Sequence, residues 1–156
     1  MEPTGRKRSS DEDLERLLAC LRSELPELLT ETGVVLAYLH GSTVSGFTHP
    51  WSDVDIALIV GEALPPAKQL KLMLSLQVDL AERCGIDNAD VRTINDAPLI
   101  LKGKVVTEGI LLYEGNEQIR IDFEVETMTR YFDYLPVYRE MQETFLATVR
   151  ERGLHG

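Results

Sequence analysis

Leucines recur at three- and four-residue intervals early in the chain: Leu14, Leu17, Leu18, Leu21, Leu25 and Leu28. That spacing lays the side chains along one face of a helix. Ser10 followed by Asp11, Glu12 and Asp13 predicts its start, with a hydroxyl capping free amides and acids opposing the helix dipole. Gly33 predicts its end, and Pro26 predicts a bend or a division. The period then changes. Val34–His40 (VVLAYLH) and Val54–Val60 (VDIALIV) are short apolar runs of strand length. Runs of this kind, bounded by turn residues, fit strands buried on both faces.

After a Gly61–Pro66 connection, Ala67 to Cys84 reads as a helix. Leu70, Met73, Leu74, Gln77 and Leu80 lie along one side of it, and Leu72 and Leu76 widen the stripe. This predicts a helix lying on a sheet and closed by Gly85. Ala89–Ile94 reads as a third strand. Asn95–Asp96 predicts the cap of a further helix with Pro98 at an early position, ended by Gly109. Ile110–Tyr113 reads as a short strand or extended segment. From Glu117 to Arg150, Phe123, Met128, Tyr131, Phe132, Leu135, Tyr138 and Phe145 recur among polar residues. Residues 119–125 also alternate as a strand would, but helix is preferred throughout, with Pro136 expected to kink or break it. The order of elements predicts an α/β (α+β) fold, a small mixed sheet with helices packed on it. A single domain is expected over residues 11–150, with a helical C-terminal segment from about 117, after a flexible tail over residues 1–10.

Length and charge narrow the picture. A chain of 156 residues suits one domain with a substantial core. The formal net charge of −10 argues against a sequence-independent nucleic-acid binder, which needs basic surface to displace counterions. It favours solubility or a basic protein partner. Cys20 and Cys84 sit among apolar residues of two helices and are expected as buried free thiols. With no membrane-spanning run and no signal-peptide core, the cytoplasm is the expected location. The basic GRKR run near the N-terminus reads as a solvated tail.

The chemistry concentrates between the first two strands. Gly41-Ser42 follows the first, ten residues intervene (Thr43 to Ser52), and Asp53-Val54-Asp55 opens the second. A Gly-Ser turn can close backbone N–H groups and a hydroxyl on an anion. In a strand, residues at i and i+2 share a face, so Asp53 and Asp55 project together. Two such carboxylates repel each other, and a hard divalent cation relieves that. Either half alone is common in ordinary turns and loops. The two halves in this order point to metal-assisted attack on a nucleotide phosphate. His40, Thr43, Ser45, Ser52, Trp51 and Arg92 are lesser candidates, for phosphate or base contacts. The structural reading is preferred for each of them.

This GS-(ten residues)-DVD segment resembles the signature of the DNA polymerase beta nucleotidyltransferase superfamily. The small size resembles its minimal nucleotidyltransferases, antitoxin partners of HEPN-domain ribonuclease toxins. The resemblance covers roughly residues 34 to 115. It implies that Gly41 and Ser42 hold the triphosphate of ATP, and that Asp53 and Asp55 bind Mg²⁺, with two ions expected. A third carboxylate from a neighbouring strand is implied. Asp90, at the start of a strand, is preferred to Asp87 in the CGIDNAD turn, because a strand fixes direction better than a loop. The chain departs from the family pattern at Ser45-Gly46, where many members have Arg-Gly. By resemblance, the activity is transfer of AMP from ATP to a tyrosine of a cognate HEPN toxin, in a hetero-oligomer with it, with no direct nucleic-acid or membrane contact. The alternatives are an antitoxin that neutralises by binding alone and a nucleotidyltransferase acting on a small molecule. The forty or so residues after Tyr113 leave little room for an acceptor-binding domain of the latter kind.

Overall fold

The computed structural model describes residues 4–41, 44 and 53–153. Eight elements follow in order: α1 (Thr4–Leu29), β1 (Val34–His40), β2 (Val54–Val60), α2 (Pro66–Cys84), β3 (Ala89–Thr93), α3 (Leu99–Glu108), β4 (Ile110–Glu114) and α4 (Glu117–Arg152). The strands form one mixed sheet in the order β3-β2-β1-β4. β1 runs antiparallel to both β2 and β4, while β2 and β3 are parallel, joined across the sheet by α2. A parallel pair requires such a crossover, since a hairpin cannot connect it.

Because strand side chains alternate, each strand feeds two cores. On one face Leu21, Leu25 and Leu29 of α1 and Leu76 and Leu80 of α2 bury Leu39, Ile56, Leu58 and Val91. On the other, Leu36, Tyr38, Ala57 and Ile59 meet Ile94, Val105 of α3 and, from α4, the partly buried Phe123. Truncating any of the three fully buried α1 leucines is expected to cost about 2–5 kcal/mol.

The sequence expectations hold for all four strands and for the type of every helix. Several details differ. α1 begins at Thr4, ahead of the Ser10 cap. Both α1 and α4 run through their prolines unbroken. Arg22 and Phe132, whose carbonyls lose an amide partner to Pro26 and Pro136, are exposed, so water can satisfy those oxygens. The wide stripe of α2 splits: Leu76 and Leu80 are buried, but Leu70 and Leu74 face solvent with Val78. The sheet and α1 together cover less of the helix circumference than the apolar residues span. Asn95 caps no helix. Its amide accepts from Val60 N at 2.9 Å and donates to Val60 O at 2.8 Å. Pro98 takes the N-cap position of α3.

The expectation of free thiols is overturned, since Cys20 and Cys84 form a disulfide. Both are only half-buried, at the contact of α1 with α2. Their Cα atoms lie 5.9 Å apart, within reach of a bridge. The apolar neighbours that suggested isolated burial are the packing that brings the two helices together.

Candidate active site

Three strand ends meet at one edge of the sheet. The C-terminal end of β1, the start of β2 and the start of β3 lie together because β1 is antiparallel to β2 and β2 is parallel to β3. His40 is the register partner of Asp55, and Asp55 is the register partner of Asp90. Alternation then settles the faces. Val54, Ile56, Ala89 and Val91 enter the core beneath α1 and α2. Asp55 and Asp90 therefore project to the opposite face, the one carrying α3 and α4, and so does Arg92.

Gly41 turns the chain away at the end of β1 with φ +83°. A methyl group there would overlap the Asp55 carboxylate, so the missing side chain makes room for an acid. Ser42 lies outside the described residues, as do Thr43, Ser45, Gly46, Trp51 and Ser52. Asp53 is exposed at the mouth of β2, and Asp87 is exposed in the turn before β3.

The charges are mutually unfavourable. Burial pushes the Asp55 carboxyl above the usual carboxylate range; Asp90 and Asp53 push the same way, against His40 and Arg92. Burial holds the His40 imidazole below its ordinary value, against the pull of Asp55 and Asp90. Arg92 Nε donates to Asp90 Oδ1 at 3.1 Å. Among the described residues, no group of three or more His, Cys, Asp or Glu side chains converges closely enough to hold a metal ion as it stands. The donor set still fits a hard cation. It consists of carboxylate oxygens, one of them, that of Asp55, raised above its ordinary range by burial and neighbouring acids, and Mg²⁺ selects such oxygens.

From the sequence His40 reads as structural and Arg92 as a solvated or paired strand arginine, and the pairing is what the structure shows. The structure brings both to the acids. The available signals were His40 directly preceding Gly41, and the two-residue spacing of Arg92 from Asp90.

A family model for Polymerase beta, Nucleotidyltransferase, matches residues 24–118. The chain is 31% identical over 116 residues to the protein adenylyltransferase MntA of Shewanella oneidensis, covering 74% of this chain and 75% of that one. Among solved structures, a toxin-antitoxin with AMP-PNP superposes with TM-score 0.64 at 25% identity, over 80% of this chain and 98% of the other. A tri-AMPylated Shewanella oneidensis HEPN toxin in complex with MNT antitoxin gives a chain with TM-score 0.62 at 23% identity, over 83% and 98%. That last likeness concerns the fold alone.

Proposed function

Since the chain belongs to the polymerase beta nucleotidyltransferase family, we propose that it is an antitoxin that transfers AMP from ATP to a tyrosine of a cognate HEPN ribonuclease toxin. The observation that carries this reading is the meeting of the Gly41 turn with Asp55 and Asp90 at one sheet edge. The protein adenylyltransferase named among the relatives supports a protein as acceptor.

In this reading Gly41 and Ser42 hold the triphosphate, and Asp53, Asp55 and Asp90 would hold Mg²⁺, as two ions. When bound, the metal supplies charge neutralisation and lowers the barrier to removing the acceptor proton. The chain's own contribution is positioning. Backbone amides of the Gly-Ser turn orient the phosphates, and the acids fix the face on which the acceptor approaches. The tyrosine oxygen bonds to the α-phosphorus, the bridge to the β-phosphate breaks, pyrophosphate leaves, and Asp90 takes the phenolic proton. A phosphate ester on the toxin would then oppose RNA by charge and bulk. The acidic chain suits docking to a basic partner in a hetero-oligomer. No described helix is long and apolar enough to cross a membrane. We place the protein in the cytoplasm, where ATP is available.

The test uses ATP labelled at the α-phosphate, Mg²⁺ and the product of the adjacent gene as acceptor. Intact mass is read with wild type and with Asp53→Asn/Asp55→Asn. AMP mass gained only with wild type supports the enzyme. No gain despite a tight complex would sink the catalytic reading in favour of neutralisation by binding. AMP found on a small molecule instead would favour the remaining alternative.

A further inference from the structure

We infer that Arg92 is a positioning residue that occupies Asp90 until a divalent cation arrives, so that loading the ion requires the guanidinium to leave. The inference rests on the reading of Asp90 as a metal ligand given above.

The argument starts from β3. Residues two apart share a face, so Arg92 stands beside Asp90 by construction of the strand. Its Nε bonds Asp90 Oδ1 at 3.1 Å. Asp90 is the register partner of Asp55, and Asp53 lies two residues before Asp55. Two carboxylates, Asp55 and Asp90, thus stand side by side on adjacent strands, and Arg92 is ion-paired with Asp90.

Exposure decides what kind of contact this is. The Arg92 side chain is 72% exposed and that of Asp90 37%. A pair this open is weak and costs little to break, because the guanidinium returns to water and no charge is stranded. A buried pair would lock the site instead. Arg92 therefore biases the acids against a free ion without blocking one delivered with a polyphosphate. The displaced guanidinium then faces the same rim, where a nucleotide phosphate gives it a new partner. Ion binding and nucleotide binding become coupled through one side chain.

The test is Mn²⁺ binding to the full-length, nucleotide-free protein, read from the free-ion electron paramagnetic resonance signal. Wild type, R92Q, R92A, R92K and D90N are compared, with the unfolding midpoint of each recorded. R92Q and R92A are expected to bind Mn²⁺ roughly three- to tenfold more tightly than wild type. R92K, which keeps the charge, is expected within about twofold of wild type. A purely structural arginine would weaken or leave unchanged the Mn²⁺ affinity when removed. Neutral variants that bind no more tightly than wild type, while D90N binds more weakly, overturn the inference and leave the metal site standing. D90N that binds Mn²⁺ as wild type does overturns Asp90 as a ligand, and the inference with it.

Discussion

Asp55 and Asp90 are register partners across the parallel β2–β3 pair, so two carboxylates stand side by side on one face of the sheet. The native state holds Asp55 in its charged form at a cost, since its carboxyl lies above its ordinary value through burial and like charge. An acid raised on folding binds its proton more readily in the native state, so the native protein loses stability as pH rises through the carboxylate range. At neutral pH, Asp55→Asn is therefore expected to raise stability slightly, by an amount that solvent screening keeps small. AMP transfer should fall by about a thousandfold or more. Mg²⁺ should stabilise wild type more than the variant. Denaturant titrations with and without Mg²⁺, beside initial rates, check all three.

The Tyr131 ring of α4 lies directly on Gly103 of α3, where a methyl group would overlap it. Two effects compete in Gly103→Ala. Helix propensity favours alanine by about 1 kcal/mol. Overpacking costs about 1–3 kcal/mol, and α3 and α4 would have to move apart to relieve it. The expected net result is a lower unfolding midpoint. A midpoint at or above that of wild type would mean that the Tyr131 ring yields freely.

Tyr38 donates its hydroxyl to Glu124 at 2.8 Å from a buried position. Burial, then this hydrogen bond, pushes the phenol far above its ordinary value of 10.0. An acid raised on folding keeps its proton in the native state while the unfolded chain releases it. Stability from this group is complete below pH 10.0 and is lost as pH rises beyond it. Wild type and Tyr38→Phe should show equal phenolate absorbance while folded and differ by one phenol after unfolding. The decline in stability above pH 10.0 should be shallower in the variant.

The disulfide joins residues 64 apart. Closing a loop of that length removes unfolded-state entropy worth about 4 kcal/mol in the chain-entropy account. Reduction, or Cys20→Ser/Cys84→Ser, should lower stability by up to that amount. The bridge joins α1 to α2, on the face of the sheet opposite Asp55 and Asp90. Transfer rates measured well below the unfolding midpoint should stay within about twofold of the oxidised protein.

Most elements were legible from their length, period and bounding turn residues, although residues 119–125 alternated as a strand would inside what is α4. VVLAYLH and VDIALIV read as strands on sight, and both run to the expected residues. The pairing of Asp55 with Asp90 was legible only as a conditional, since strand order is set by long-range packing. The exposure of Leu70 and Leu74 was not legible, because a helical wheel shows how wide an apolar stripe is and not how much of it a neighbour covers. Asn95 misled for a chemical reason. The same short amide that caps helices can also bond to a strand, and only the tertiary position of Val60 decides between them. The disulfide needed the distance between two helices, which spacing along the chain does not encode.

Asn95 also has a consequence for the chemistry at the far end of the sheet. By bonding both the N–H and the C=O of Val60, its side chain acts as one more peptide unit beside β2. Slippage of β2 by a single residue would send Asp55 into the hydrocarbon under α1 and α2 and bring Ile56 out in its place. One amide, at the opposite end of the strand from the acids, thus helps to keep the reactive side and the greasy side of the sheet from changing places.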